Sequence, residues 1–107
     1  MVEFAHESEA HLAGLLDGYG IRWEYEPTTF VLEADEEGNV AEAFTPDFYL
    51  PDFDTYVELT TMRQPLVTRK NRKVRRLAEV HPEVTVKLLY RRDIERIGAK
   101  YHLADAA

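Results

Sequence analysis

The chain has no cysteine among its 107 residues. Disulfides and thiolate metal sites are therefore excluded, and any metal must rest on oxygen or imidazole ligands. The single serine, Ser8, has no nucleophile-elbow glycines around it, and no glycine-rich phosphate loop occurs anywhere in the sequence. Serine-hydrolase chemistry and P-loop nucleotide hydrolysis are thereby set aside. No apolar run approaches the roughly 18 residues of a membrane span, and Met1 to Glu7 holds no basic segment leading into an apolar one. A cytoplasmic protein without membrane contact is expected.

Positive charge is scarce in one part of the chain only. As far as Thr61, Arg22 is the sole basic residue against fifteen Asp and Glu; from Met62 to Lys100, twelve Lys and Arg face four acids. The net charge of -7 thus conceals a polarised molecule whose basic part can meet phosphates. With 45% hydrophobic residues and this length, one domain over residues 1–107 is expected.

From Phe4 to Tyr19, Ala5, Ser8, Leu12, Leu15, Leu16 and Tyr19 recur at intervals of three and four, predicting an amphipathic helix. Glu9 falls about 60° from Leu12 on the helical wheel, at the edge of the apolar stripe. Five short strands follow. Ile21 to Tyr25 alternates apolar and polar residues, and Thr29 to Glu33 with Asn39 to Phe44 flanks the turn Asp35-Glu36-Glu37-Gly38 as a hairpin. Asp47 to Leu50 and Thr55 to Thr60 are separated by the turn Pro51-Asp52-Phe53-Asp54.

A second amphipathic helix runs from Leu66 to His81, with Val67, Val74, Leu77, Ala78 and His81 in one arc. Val84 to Tyr90 reads as a buried strand, and Asp93 to Tyr101 as a short basic helix. The order is αβββββαβα. Strand, long helix and strand between Glu58 and Tyr90 predict a parallel crossover, so the fold class is α/β with a mixed sheet of about five to six strands flanked by helices.

Two acids stand out. Asp47, after Pro46, and Glu58, eleven residues later, each lie in a strand whose neighbours are apolar. A buried carboxylate costs several kcal/mol, roughly, unless it is paired, hydrogen-bonded or bound to a cation, and a hard cation such as Mg2+ accepts such oxygen ligands. Lys70 lies about 40° from Val74 on the wheel of the second helix, inside its apolar arc. A lysine there calls for an anion, and the Asp47 and Glu58 pair is one element away. The ordinary reading is a lysine whose stem is buried and whose amine reaches water.

Pro46-Asp47 and Glu58-Leu59-Thr60, with the acidic Glu9 in the first helix, resemble the PD-(D/E)xK superfamily of restriction-endonuclease-like proteins. The resemblance spans Glu9 to Tyr90 and implies a restriction-endonuclease-like core. It also implies metal-dependent hydrolysis of phosphodiester bonds in DNA or RNA. Asp47, Glu58 and Glu9 would be the metal residues for Mg2+ or Mn2+, the Leu59 carbonyl would assist them, and Glu9, Asp47, Glu58 and Lys70 would form the catalytic set. Thr60 stands where the family has lysine; Lys70 is the residue placed to substitute for it, with Arg63 as a second candidate.

The block from Glu58 to Leu77 also resembles a small nuclease-fold segment that accompanies bacterial hypoxanthine phosphoribosyltransferases, which implies a link to such an enzyme. The basic residues Arg63, Arg69, Arg72, Lys73 and Arg76 would contact nucleic acid, most readily DNA, although charge runs on helices are commonly solvated faces. A homodimer would allow two strands to be cut. The alternative function is a noncatalytic nucleic-acid-binding or protein-binding module that keeps the fold, with the acids as an ion-pair cluster. His6 and His11, five apart, do not share a helical face and are not a metal pair.

Overall fold

The structure, a computed structural model, describes residues 2–60, 64–90, 92–94 and 96, the side chains of 64–67 excepted. The elements run α1 (Glu7–Gly18), β1 (Glu24–Tyr25), β2 (Phe30–Ala34), β3 (Val40–Phe44), β4 (Phe48–Leu50), a 3-10 turn (Pro51–Phe53), β5 (Thr55–Thr60), α2 (Gln64–Val80) and β6 (Val86–Tyr90). Residues 92–94 and 96 are helical, and 95 and 97–101 of the expected third helix lie outside the described residues.

The chain is α/β, and its main sheet is mixed. Strands β1, β4, β5 and β6 lie side by side in that order; β1 and β4 are antiparallel, as are β4 and β5, whereas β5 and β6 are parallel through α2. The expected crossover is thus present, with Glu58 beside Leu88 and Thr60 beside Tyr90. The single sheet of five to six strands requires correction. β2 and β3 form a separate two-stranded hairpin.

The separation has a local cause. The expected strand from Ile21 to Tyr25 is reduced to its last two residues, and it ends there because Glu26 takes a left-handed φ of 46° and is followed by Pro27. The Glu26 amide is held there by donating to the Asp47 carbonyl at 2.9 Å. The chain therefore leaves the sheet instead of prolonging it, and β1 pairs with β4 (Glu24 with Tyr49).

Two cores result. Leu12, Ala13, Leu15 and Leu16 of α1 cover one face of the main sheet against Phe48, Val57, Leu59 and Ile94. On the other side, Leu32 and Phe44 of the hairpin close on Leu77 of α2. Asp35 accepts from the amides of Glu37 and Asn39, at 2.9 and 2.8 Å, and Gly38 supplies the positive φ of 86° that the hairpin turn demands. Its carboxyl group is held below the usual range, chiefly by the Asn39 amide. His81 ends α2 by donating its amide to the Leu77 carbonyl, and its ring reaches the Val31 carbonyl at 3.1 Å.

Candidate active site

The β4 and β5 pairing brings the two singled-out acids together. Phe48 lies opposite Val57 in this antiparallel pair, so Asp47, just before β4, and Glu58, just after Val57, come together beside that rung. Their bonding is reciprocal. The Asp47 amide donates to Glu58 Oε1 at 3.0 Å, and the Leu59 amide donates to Asp47 Oδ2 at 2.8 Å. Both side chains are deeply buried, Asp47 at 7% and Glu58 at 4% exposure.

Lys70 reaches the pair from α2. Its Nζ lies 2.9 Å from Glu58 Oε2 and also donates to the Leu59 carbonyl. Its position follows from the packing around it. Val74 and Leu77, one and two turns further along α2, pack with the β2 and β3 hairpin, and the same side of the helix turns Lys70 toward β5.

One lysine does not neutralise two buried carboxylates. Burial pushes the Asp47 carboxyl up to about 8; Glu58 and Glu9 push the same way, and the Leu59 amide and Lys70 oppose them. Glu58 is also raised by burial, against the pull of Lys70 and of hydrogen bonds from Asp47. The pair binds a proton more firmly than isolated carboxylates would.

Glu9 is buried at 4% exposure in the first turn of α1, as its wheel position implied, but another residue holds it. Its Oε1 accepts from the Tyr25 hydroxyl at 2.6 Å and from the Ala5 amide at 3.1 Å. Burial and the bond to Glu9 push the Tyr25 hydroxyl up to about 12. Glu9 therefore acts on Asp47 through its charge and makes no direct bond to it among those described. Among the described residues, no three His, Cys, Asp or Glu side chains gather closely enough to hold a metal ion.

No family model, curated protein or solved structure matches the chain. The functional reading consequently rests on the geometry of this cluster.

The basic candidates divide. Arg69 is exposed. Arg72 pairs with Glu42 at 2.5 Å, Lys73 donates to the Ala43 carbonyl at 3.1 Å, and Arg76 pairs with Glu79 at 3.3 Å. Arg72 and Lys73 thus join α2 to the hairpin. Arg63 lies outside the described residues.

Two features of the site are not legible in the strand pattern. Tyr25 reads there as an ordinary core aromatic, whereas it is the anchor of Glu9. Thr60, noted as an absent lysine, is 2% exposed, and its hydroxyl finds no hydrogen-bond partner among the described residues. Two surface clefts lie away from the acids: one of about 530 Å3 is lined by residues including Asp17, Arg22 and Trp23, and another of about 410 Å3 by Leu12, Leu16, Phe53 and Leu89 among others.

Proposed function

We propose that the protein is a metal-dependent nuclease of the PD-(D/E)xK type, with a restriction-endonuclease-like core, that hydrolyses phosphodiester bonds in DNA. The observation that carries this reading is the 2.9 Å approach of the Lys70 amine to Glu58. It supplies, from α2, the cation that the strand position of Thr60 lacks.

The donor set fits Mg2+ or Mn2+. Asp47 and Glu58 present hard carboxylate oxygens and the Leu59 carbonyl a third; the Lys70 amine already bonds Glu58 and that carbonyl, and a divalent cation would displace the proton that the Asp47 carboxyl, raised to about 8, retains. A divalent cation would satisfy both acids where a proton satisfies one. Asp47, Glu58 and the Leu59 carbonyl would hold it; when bound, it polarises a phosphoryl oxygen and acidifies water.

The remaining work belongs to this chain. Burial of Asp47 and Glu58 keeps their charges poorly screened, which would strengthen their hold on a cation; the positive charge that meets a phosphodiester would come from that cation and from Lys70. Lys70 orients Glu58 and places positive charge beside the position of the developing phosphoryl charge. Glu9, fixed by Tyr25, adds negative field at Asp47 and strengthens the attraction for a cation.

The test is a titration of Mg2+ and Mn2+ with single-stranded and double-stranded DNA and RNA, run beside Asp47→Ala, Glu58→Ala and Lys70→Met. Metal-dependent cleavage by the wild type and at least hundredfold loss in each variant are expected. Equal cleavage by all four proteins, or by none, refutes the proposal; tight binding without cleavage indicates a noncatalytic module.

A further inference from the structure

The parallel strands β5 and β6 end together, with Glu58 beside Leu88 and Thr60 beside Tyr90. The two-residue strand period therefore puts Tyr90 on the sheet face that carries Glu58, and the strand spacings separate their Cα atoms by roughly 8 Å. Tyr90 is a diagonal neighbour of the acid site. Ligands of open α/β sheets gather at such carboxyl ends of parallel strands.

The chain is fixed as it leaves this rung. The Tyr90 amide donates to Asp93 Oδ2 at 2.8 Å, and the Arg92 guanidinium carbon lies 4.9 Å from the centre of the Tyr90 ring. The ring attracts the cation to its face, and a guanidinium that stacks keeps the nitrogens of its edge free to donate. Arg92 is exposed and Tyr90 half-buried, so this edge is open to a ligand.

Arg92 also differs from its fellow cations. Arg22, Lys70, Arg72 and Arg76 each pair with a carboxylate. Arg92 forms no ion pair among the described residues and rests on the ring instead. Its charge is uncompensated, pre-oriented and close to the acids, and a planar guanidinium suits two oxygens of one phosphate. A nucleic acid strand repeats its phosphates every few ångströms, so one that presents a phosphodiester to Asp47 and Glu58 carries the neighbouring phosphates past the end of the sheet.

We propose that Arg92, held on the Tyr90 ring, binds a phosphate of the substrate strand next to the scissile phosphodiester, making the carboxyl end of β6 the strand-docking subsite of the Asp47, Glu58 and Lys70 site. The inference rests on the nuclease reading and deepens it. The contact is to backbone phosphate and carries no base preference. Tyr90 is the positioning residue, since it acts by holding Arg92.

The experiment uses the full chain and a labelled single-stranded DNA oligonucleotide, with binding measured in EDTA and cleavage in Mg2+ and then Mn2+. Arg92→Ala is expected to weaken binding at least fivefold, to lower the salt slope by about 0.7, and to raise KM at least fivefold with kcat within twofold. Its Tm should stay within about 3 °C of the wild type, as befits an exposed residue without an ion pair. Tyr90→Leu is expected to lose part of the same affinity, and the double variant to bind no more weakly than Arg92→Ala, because the ring acts through the guanidinium.

A second readout locates the contact. Oligonucleotides in which one phosphate at a time is a neutral methylphosphonate should reveal one position beside the scissile phosphate where the wild type loses at least fivefold in affinity and Arg92→Ala less than twofold. Unchanged binding and KM in Arg92→Ala, or equal losses in both proteins at every position, overturns the role of Arg92 alone. Arg92-dependent binding with no cleavage by the wild type of any DNA or RNA overturns the nuclease reading and upholds the phosphate contact. Neither binding nor cleavage overturns both.

Discussion

Asp47 and Glu58 each take a main-chain amide from the other's strand: Asp47 donates to Glu58, and Leu59, the neighbour of Glu58, donates to Asp47. The exchange locks both carboxylates at one rung of the sheet before any ligand arrives. It also explains how two acids share a buried site. Amide dipoles and one lysine compensate part of their charge, and burial makes the pair retain a proton.

Removing Lys70 exposes that balance. Lys70→Met keeps the apolar stem and leaves Glu58 buried without its cation. A stability loss of roughly 1–3 kcal/mol is expected in urea titrations at pH 7. Adding Lys70→Met to Glu58→Gln should cost little more than Glu58→Gln alone, as a double-mutant cycle would show for directly coupled residues.

The raised Asp47 carboxyl sets a pH dependence for the metal-free protein. Its folded value of about 8 lies above an unfolded value near ~3.9. Between those limits the folded state holds a proton that the unfolded chain releases, so the contribution is fully present below about pH 4 and is lost as pH rises toward 8. Glu58, also raised, acts in the same direction. With EDTA present, Tm should fall between pH 5 and pH 8, on the order of 5 °C or more, and Asp47→Asn should flatten the curve. A wild-type Tm that stays level over this range would contradict the buried, undercompensated pair.

Leu77 is 1% exposed and packs with Leu32 and Phe44, so Leu77→Ala should cost roughly 2–5 kcal/mol. The loss should spread beyond the core. Because α2 carries Lys70, hydrogen exchange should quicken in both the β2 and β3 hairpin and α2, with a fall in cleavage rate.

Tyr25→Phe deletes the hydroxyl that holds Glu9. A stability loss of about 1–2 kcal/mol is expected in denaturant titration, together with weaker Mn2+ binding by calorimetry, since Glu9 would no longer be fixed near Asp47. Unchanged Mn2+ affinity would separate Glu9 from the metal site.

Arg69 and Arg72 should behave differently. Arg69→Ala, at an exposed residue, is expected to weaken binding to DNA of any sequence and to reduce the salt slope by about 1. Arg72→Ala breaks the pair with Glu42, and thermal melts should show a shift before DNA titrations do. Equal effects of the two substitutions on the salt slope would place both on the nucleic acid.

The elements were legible where periodicity is strong. The apolar spacing of Leu12, Leu15 and Leu16 marked α1, that of Val74, Leu77 and Ala78 marked α2, and the strand, helix, strand order implied the parallel pairing of β5 with β6. The division of the strands into two sheets was not legible. Strand propensity reports that a segment is extended and says nothing of its neighbour; here the chain turns out of the main sheet at the left-handed Glu26, whose amide is bonded to the Asp47 carbonyl.

At the site, residue types and wheel angles singled out Asp47, Glu58, Glu9 and Lys70, because acids and a lysine on apolar faces must find partners. Which partners they found depended on contacts between residues far apart in the chain. Lys70 meets Glu58 because Leu77 closes on the hairpin and fixes the face of α2, whereas Glu9 turns to Tyr25, sixteen residues away, whose hydroxyl lies within bonding reach. Local pattern dictates which side of a helix or strand a side chain occupies. The distance between two such side chains is decided when the elements pack, and in this chain that step seats the lysine beside the acids.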